Sequence, residues 1–550
     1  MKKHDNLVAL FESTIKNNWG ITALSDYRGD DKTYQDVGTR IMKIHAVFQA
    51  CDVKKGDKIA LIGKNSANWG IIYIAAVTYG AVIVPILPDF KPDDTHHIVN
   101  HSDSVVLFVG DTLWDKLDKS AMTNLRVVIK IQDFSILHKY EASIDDKIGS
   151  ALDEFEKKYP EGPGAEDLSF PECGMEDVAV ISYTSGTTGF SKGVVLQHKS
   201  LLGNMNFAQE NMPLNAGDKI VSFLPMAHTY GCAFEFLFPF TLGCHITILT
   251  KTPSPKIVTE AFQEIRPALI LSVPLVIEKI YKTRIMPLFH KRSILILSKI
   301  PLLNRLIFKK IKDTMYNVFG GNFRELVIGG AAFNPEAEAF FRKIKFPFTV
   351  GYGMTECGPL ISYASWDTTK PGASGRPVDE LEVTIDSDDP QNQVGEILMR
   401  GSHVMQGYYK NPEATAEAID KDGWLHSGDL GVMDKEGNIF IKGRSKSMIL
   451  TGSGKNIYPE EIESFLNNRF MVSESVVVNR ESRLIALICP DTDAMKKAGV
   501  TEETLPEVLK KYIKETNEKL PSYMNIANFE VHNEEFAKTP KRSIKRFMYK

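Results

Sequence analysis

Cysteine is scarce in this 550-residue chain, and no two cysteines form a CxxC pair. The six cysteines are scattered singly, at Cys51, Cys173, Cys232, Cys244, Cys357 and Cys489. Structural zinc sites and the disulfide frameworks of small secreted domains both need cysteines at close, regular spacing. The sequence therefore predicts neither, and we expect a protein of the reducing cytoplasm.

A signal peptide and an excess of charge of either sign are also lacking. Residues 1–13, MKKHDNLVALFES, begin with a basic stretch but then alternate polar and apolar residues, so we expect no export. Lysine and arginine total 65 against 69 aspartate and glutamate, which gives a net charge of -4. Because nucleic-acid binding depends on positive charge, we expect no nucleic acid as a partner and favour a small molecule.

An uncharged stretch from Gly70 to Pro88 approaches the length of a membrane span. Gly80 can end a helix, and the β-branched residues that follow it at positions 82–84 are typical of a buried strand. We therefore interpret the stretch as a helix, a turn and a strand of an α/β core; a membrane span is the alternative.

The order of the apolar segments predicts an α/β fold. Hydrophobic residues make up 43% of the chain, enough to fill more than one core. Strand candidates alternate with helical stretches at Lys58–Ile62, Val82–Ile86, Val105–Val109, Val127–Ile131, Val178–Tyr183, Ile246–Leu249 and Leu269–Ser272. Such alternation favours stacked, mostly parallel sheets covered by helices.

Further along, the pattern changes twice. Short strands with tight turns from Leu381 to Lys442 predict an antiparallel β subdomain. Mixed short helices and strands follow, without a long linker. We expect a large N-terminal body at residues 1–443, which includes the β subdomain at 381–443, and a small C-terminal α+β domain at 444–550.

The segment from Glu278 to Lys312 is unusually basic and amphipathic. Its charged residues, set among isoleucine, leucine and phenylalanine, are Lys279, Lys282, Arg284, Lys291, Arg292, Lys299, Arg305, Lys309, Lys310 and Lys312. One interpretation is a surface helical insertion with solvated lysines. The other is contact of residues 279–312 with the anionic inner face of a membrane.

The strongest local motif is YTSGTTGFSKG at residues 183–193, between two apolar runs. Glycines allow backbone N–H groups to approach phosphate oxygens, hydroxyls add donors, and Lys192 adds positive charge. The spacing does not match GxxxxGK[ST], which excludes a helix-opening P-loop. The candidate phosphate-binding residues are Thr184, Ser185, Gly186, Thr187, Thr188, Gly189 and Lys192.

This motif resembles the signature of the adenylate-forming superfamily, which includes acyl-CoA synthetases, luciferases and peptide-synthetase adenylation domains. The resemblance recurs in the family's order over nearly the whole chain. It implies ATP and Mg²⁺ as ligands, coenzyme A as a second substrate, and a mobile C-terminal domain.

A second match is GYGMTE at residues 351–356, which resembles the family's aromatic-Gly-x-Thr-Glu motif. By this resemblance Tyr352 and Gly353 lie against adenine, Thr355 touches phosphate, and Glu356 holds Mg²⁺. Carboxylate oxygen is what a hard cation prefers. Upstream, Gly330 and Ala331 resemble the turn that borders adenine and the acyl site.

Further matches extend the resemblance toward both ends of the chain. Asp429, in WLHSGDLG, resembles the ribose-binding aspartate, and Arg444 resembles a second ribose or phosphate contact. Lys446 occupies the family's hinge position, and Gly454 belongs to a loop that resembles the lining of the CoA tunnel. His228, in LPMAHTYG, matches a position near the acyl pocket.

The C-terminal motif departs from the family pattern. KTPKRSIKR at residues 538–546 resembles Lys-Thr-x-x-Gly-Lys-Ile-x-Arg, but Arg542 stands at the usual glycine and Ser543 at the usual catalytic lysine. A serine cannot supply that cation. Three explanations stay open: Lys541 or Lys545 reaches into the site, adenylation is slow, or Ser543 is an inactivating change.

Together these features predict an ATP-dependent acid–CoA ligase that works through an acyl-adenylate. The basic insertion resembles that of long-chain fatty-acid–CoA ligases, so a fatty acid is the favoured substrate. Medium-chain, short-chain or aryl acids are the alternative. A carrier-loading enzyme is disfavoured because no carrier-like segment is appended, and an ATP-binding pseudoenzyme is supported only by Ser543.

Overall fold

The computed structural model describes residues 4–184, 191–282, 303–450, 456–481, 483–539 and 544–549. Within these residues the chain forms a large N-terminal part of stacked sheets and helices and a small C-terminal α+β domain. The predicted fold class is confirmed. The domain boundary at residue 443 and the hinge at Lys446 stay predictions.

An eight-stranded sheet dominates the N-terminal part. In spatial order its strands are Gly407–Tyr408, Lys192–Gln197, Val178–Thr184, Val82–Ile86, Lys58–Ile62, Ser104–Val109, Val127–Lys130 and Ile136–Lys139. The central pairs are parallel, and the pairs at both edges are antiparallel. The parallel centre is covered by helices, as its apolar strands require.

The uncharged stretch at residues 70–88 belongs to this core. Ser66 caps the helix Ala67–Tyr79, which is apolar on every side and almost wholly buried. Gly80 ends it in the left-handed conformation, with φ of 82°, and the strand Val82–Ile86 follows. The predicted helix, turn and strand are confirmed. In the part of the chain that the structure describes, no helix is both long and apolar enough to cross a membrane.

Two further sheets of the body carry parallel pairs. One has the strand order Lys219–Ser222, His245–Ile248, Thr22–Asp26 and Asp31–Thr33, and the other Leu269–Ser272, Glu325–Ile328 and Phe348–Val350. A small antiparallel sheet follows with Tyr352–Gly353, Leu360–Tyr363 and Arg376–Pro377. The GYGMTE motif therefore begins directly after Val350, the last residue of a parallel strand.

The predicted antiparallel subdomain is a four-stranded sheet. Its strands lie in the order Leu381–Asp386, Gly395–Gly401, Leu425–Met433 and Ile439–Arg444. Asp434 closes the last hairpin by accepting hydrogen bonds at Oδ1 from the Glu436 and Asn438 amides, both at 2.9 Å. Lys370 and these amides hold the pKa of Asp434 well below its usual range, although partial burial opposes them.

The C-terminal domain has a three-stranded sheet, Val472–Arg480, Arg483–Pro490 and Ile526–Val531, and a core of its own. The short strands Ile449–Leu450 and Asn456–Ile457 precede it. Pro459 opens the helix Pro459–Asn467 at its first position. Inside the domain, Arg546 pairs through both terminal nitrogens with the buried Glu463.

The helices of the described residues cover these sheets. Their bounds are Leu7–Asn17, Tyr34–Ala50, Ala67–Tyr79, Pro92–His101, Asp111–Trp114, Ile144–Lys158, His198–Asn211, Thr229–Gly231, Phe238–Leu242, Pro255–Ile265, Pro274–Ile280, Leu303–Val318, Pro335–Lys343, Pro412–Ala418, Pro459–Asn467, Thr492–Ala498 and Leu505–Asn517, with a π-helix at Cys232–Leu237. The basic segment at residues 279–312 is described only at its two ends, since residues 283–302 lie outside the described residues. Contact of this segment with a membrane stays a prediction.

Polar contacts join the C-terminal domain to the body. Asn334 Nδ2 donates to Ser464 O at 2.5 Å, and Asn468 Nδ2 donates to Glu336 Oε2 at 2.6 Å. Lys519 forms an ion pair with the same Glu336. The two hydrophobic cores are separate clusters, so the domains meet chiefly through groups that water can also satisfy.

Candidate active site

The phosphate motif lies in an antiparallel hairpin at one edge of the eight-stranded sheet. Thr184 ends one strand and pairs with Lys192, which begins the next. Ser185, Gly186, Thr187, Thr188 and Gly189 lie outside the described residues. At the base of the hairpin Tyr183 Oη lies 2.7 Å from His101 Nδ1. A Cβ at Gly193 would lie 3.1 Å from the Tyr183 ring, so this position requires a residue without one.

Tyr352, Asp429 and Arg444 form a connected polar group. Tyr352 Oη donates to Asp429 Oδ2 at 2.7 Å, and Arg444 Nε donates to Asp429 Oδ1 at 2.8 Å. Tyr352 and Asp429 are 7% and 6% exposed. The Asp429 carboxylate raises the pKa of the Arg444 guanidinium. A residue distant in sequence, Tyr352, and one from the neighbouring strand, Arg444, thus contact the same carboxylate.

Local backbone geometry points Asp429 toward this group. Gly428 adopts a φ of 70°, which favours glycine, and its amide donates to Glu396 Oε1 at 2.7 Å. The Asp429 amide donates to Ser427 Oγ at 3.0 Å. Asp429 is also the strand partner of Arg444. Sequence reasoning missed Glu396, because its contact with Gly428 depends on strand pairing.

The GYGMTE motif turns sharply beside the hairpin. Gly353 approaches Pro359 so closely that a Cβ there would lie 2.3 Å from the Pro359 carbonyl oxygen. The 3₁₀ turn Thr355–Cys357 follows, and Thr355 Oγ1 lies 3.5 Å from Thr229 Oγ1. The turn thereby places Thr355 against the segment that carries His228.

Tyr408 links Glu356 to Lys192. Its hydroxyl donates to Glu356 Oε1 at 3.0 Å, and Lys192 Nζ lies 4.8 Å from the centroid of its ring. Sequence reasoning missed Tyr408, since nothing in its local sequence indicates a contact with either charged residue. The structure therefore connects two candidate residues through a third.

His228 lies at the start of a short helix that borders the Gly329–Ala331 turn. Its Nδ1 accepts a hydrogen bond from the Tyr230 amide at 3.2 Å. Tyr230 Oη donates to Val327 O at 3.2 Å, and a Cβ at Gly329 would lie 3.0 Å from the Tyr230 ring. Gly330, with φ of 86°, and Ala331 follow as exposed residues. Tyr230 therefore connects the segment that carries His228 to the turn that carries Gly330 and Ala331.

The buried carboxyl group of Glu235 accepts hydrogen bonds from the backbone just before the segment that carries His228. This residue was not predicted from the sequence. Glu235 lies in the π-helix and is 0% exposed. Its Oε2 accepts hydrogen bonds from the amides of Phe223 and Leu224, at 2.8 and 2.7 Å. Burial raises the pKa of Glu235 to about 8, although these amides oppose the shift.

The remaining candidate residues lie toward the C-terminal domain. Lys446 is exposed in a 3₁₀ turn directly after the strand Ile439–Arg444. Gly454, Lys541 and Ser543 lie outside the described residues. The chain on either side of Ser543 is held by a β-bridge between Lys538 and Ile544.

The raised pKa of Glu235 gives a pH dependence of stability. Between its ordinary value of 4.5 and about 8 the folded chain binds more protons than the unfolded chain, so this group's stabilisation is lost as pH rises through that window. Glu235→Gln keeps an oxygen acceptor and cannot ionise. We expect the melting temperature of the variant relative to the parent to rise from pH 5 to pH 8.

Glu210→Gln, at an exposed helix end, serves as the matched control and is expected to show no such trend. Scanning calorimetry of the three proteins at both pH values checks the prediction. A constant difference between Glu235→Gln and the parent across the window contradicts it.

Comparisons with known proteins found matches in both the N-terminal part and the C-terminal domain of the chain. The family described as "AMP-binding enzyme" matches residues 11–409, and "AMP-binding enzyme C-terminal domain" matches residues 446–549. The peroxisomal long chain acyl-CoA synthetase 6 of Arabidopsis thaliana is 30% identical over 86% of this chain and 71% of its own length.

A second relative and a solved structure are also similar to this chain. The 4-coumarate–CoA ligase 4 of Arabidopsis thaliana is 29% identical over 81% of this chain and 74% of its own length. A crystal structure of the anthranilate CoA ligase AuaEII in complex with anthranoyl-AMP has a TM-score of 0.80 at 20% identity, and the match covers 100% of this chain and 97% of that one. The chain belongs to the AMP-binding enzymes of the adenylate-forming superfamily and is an enzyme of the AMP-forming acyl-CoA synthetase family.

Proposed function

We propose that this enzyme is an ATP-dependent long-chain fatty-acid–CoA ligase. It joins a fatty acid to AMP with release of pyrophosphate, then transfers the acyl group to coenzyme A with release of AMP. The observation that carries the proposal is the shared carboxylate of Asp429, which contacts both Tyr352 and Arg444 in a chain that matches the family at residues 11–409 and 446–549.

Nucleoside binding is assigned to the Tyr352, Asp429 and Arg444 group. A carboxylate has about four acceptor positions, and two of those on Asp429 are used by the protein. The others are available to the two ribose hydroxyls. The Tyr352 ring, held in place through its hydroxyl, offers a flat apolar face to adenine, and the backbone at Gly353, Gly330 and Ala331 borders the base.

Phosphate binding is assigned to the hairpin loop and to Thr355. Lys192 supplies the cation, and residues Thr184–Gly189 supply hydroxyls and backbone amides. These groups neutralise charge on the oxygens and hold the α-phosphorus in line with the fatty-acid carboxylate. The carboxylate oxygen forms the new P–O bond, and the bond to pyrophosphate breaks.

Glu356 fits a magnesium ligand. Tyr408 occupies one lone pair of Oε1, which leaves the other acceptor positions of this carboxylate for a cation. Mg²⁺ binds one or two carboxylates together with substrate phosphates and water, so a single carboxylate beside the triphosphate suits it. When bound, Mg²⁺ would neutralise charge on the triphosphate.

For the second step we assign the loop that contains Gly454 to CoA binding and Lys446 to the hinge between residues 1–443 and 444–550. The thiol sulfur forms a bond to the acyl carbon, and the bond from that carbon to AMP breaks. His228, beside Thr229 and Tyr230, borders the acyl group. The polar contacts of Glu336 and Asn334 with the small domain can exchange for water, which supports its rotation between the two steps.

The long-chain assignment rests on the basic segment at 279–312 and on the Arabidopsis acyl-CoA synthetase relative. The 4-coumarate ligase relative favours a second candidate, an aryl acid–CoA ligase. For a fatty-acid enzyme we expect kcat/KM to rise about fourfold per methylene until the pocket is full, because each buried CH₂ contributes about 0.8 kcal/mol.

A panel of fatty acids of increasing length, with benzoate and cinnamate derivatives for comparison, tests this assignment by AMP release in the presence of ATP and CoA. Turnover of an aryl acid equal to that of the best fatty acid would reject the long-chain assignment and favour the aryl one.

The nucleoside assignment is tested by Asp429→Ala. Loss of charged hydrogen bonds costs roughly 1.5–3 kcal/mol, so we expect the Kd for ATP to rise about 10- to 150-fold. Glu382→Ala, an exposed position in the same sheet that pairs with Arg400, is the control and should leave the Kd unchanged. Calorimetric titration of folded protein gives both values; an unchanged Kd in Asp429→Ala would remove Asp429 from the site.

Ser543 bears on the rate of the first step. If the missing lysine limits adenylation, Ser543→Lys should raise the rate of pyrophosphate release about 10²- to 10³-fold, as is typical for one positioned electrostatic donor. Thioester formation from supplied acyl-adenylate should not change. If the variant gains nothing and the parent is already fast, Lys541→Ala and Lys545→Ala will identify which neighbouring lysine supplies the cation.

A further inference from the structure

Tyr408 touches two side chains of opposite charge at the candidate site. The Lys192 ammonium lies 4.8 Å from the centroid of its ring, and its hydroxyl donates to Glu356 Oε1 at 3.0 Å. A cation near an aromatic ring is attracted by the negative charge of the ring face. The same side chain therefore binds a cation through its ring and an anion through its hydroxyl.

The backbone fixes Tyr408 in this position. The strand Gly407–Tyr408 pairs with Val194 and Val195 directly after Lys192. The Tyr408 amide donates to Thr415 Oγ1 at 2.9 Å, and the next amide, that of Tyr409, donates to Gly193 O at 2.7 Å. These bonds fix the backbone of Tyr408, and the bond from its hydroxyl to Glu356 orients the ring.

Glu356 is tied to the same strand. The Met405 amide donates to Glu356 O at 2.8 Å. The Tyr408 hydroxyl donates to the side chain of the same Glu356. The short segment at residues 405–409 thus positions the hairpin lysine and the motif glutamate together.

Among the ion pairs of the described residues there is none between Lys192 and Glu356, although Lys192 contacts the ring of Tyr408 and Glu356 accepts a hydrogen bond from its hydroxyl. Opposite charges on either side of one side chain attract each other. A direct pair would neutralise both, and neither would then be available to a phosphate oxygen or to a divalent cation.

We propose that Tyr408 is a positioning residue that holds the Lys192 ammonium and the Glu356 carboxylate apart, so that each stays available to its own ligand. The inference rests on the proposed function, which assigns Lys192 to phosphate and Glu356 to Mg²⁺. Tyr408 itself need not touch the nucleotide. Removal of the Tyr408 side chain should let the two charges pair. The Lys192 ammonium would then no longer be available to the triphosphate.

The test is ATP binding to the full chain without Mg²⁺, measured by calorimetry. Tyr408→Leu removes the ring and the hydroxyl, and we expect ATP affinity to fall roughly five- to thirtyfold. The double variant Tyr408→Leu, Glu356→Gln should regain most of that affinity, because glutamine cannot form an ion pair with Lys192. Glu356→Gln alone should not weaken ATP binding in the absence of Mg²⁺.

Tyr408→Phe separates the two contacts, since it keeps the ring and removes the hydroxyl. ATP affinity without Mg²⁺ should stay within about twofold of the parent, as expected when the cation–π contact remains. The Mg²⁺ concentration for half-maximal pyrophosphate release should rise severalfold, because Glu356 loses its positioning bond. Tyr409→Phe, the adjacent hydroxyl bonded to Asp103, is the matched control and should change neither quantity.

The outcomes are distinguishable. Loss of affinity in Tyr408→Leu without rescue by Glu356→Gln would make Tyr408 a structural residue only and overturn the inference, as would parent affinity in Tyr408→Leu. If Tyr408→Leu does not fold, unchanged Mg²⁺ dependence in Tyr408→Phe overturns it. A parent chain that binds no ATP at all would reject the proposed function, and the inference with it.

Discussion

Pairing of the short strand Gly407–Tyr408 with the strand that follows the phosphate motif connects the candidate site to the rest of the molecule. Without this pairing the strand Lys192–Gln197 would be a free sheet edge. With it, the backbone hydrogen bonds at residues 405–409 connect the edge of the eight-stranded sheet to the Thr355–Glu356 turn. The positions of two charges thus follow from main-chain geometry.

The site uses buried carboxylates in two different ways. Asp429 accepts hydrogen bonds from two side chains of the protein, those of Tyr352 and Arg444. Glu235 is fully buried, and burial disfavours its ionised form although the backbone amides of Phe223 and Leu224 donate to it. The first can recognise hydroxyl groups, and the second supports the loop that carries His228.

Local sequence predicted much of the fold because its signals are local. The strands Lys58–Ile62 and Val82–Ile86 begin and end where apolar runs meet turn residues, and both were predicted with these bounds. The two apolar runs that flank the phosphate motif form the paired strands Val178–Thr184 and Lys192–Gln197.

The contacts that organise the site were not predictable in this way. Tyr408 meets Lys192, and Glu396 meets Gly428, only after distant strands have paired. A glutamate within the apolar run FEFLFPF did carry a signal for Glu235, since an isolated acid among phenylalanines indicates a buried carboxyl group. Its partners, the amides of Phe223 and Leu224, depend on tertiary structure.

The polar contacts between the C-terminal domain and the body have a consequence for how this protein unfolds. Ile462 and Leu466 pack within the C-terminal core alone, and Arg546 stabilises Glu463 within the same domain. Few apolar contacts couple that core to the larger one, so heat or denaturant can melt the small domain while the body stays folded. A single free energy of unfolding then does not describe the chain, and each substitution must be compared with the transition of its own domain.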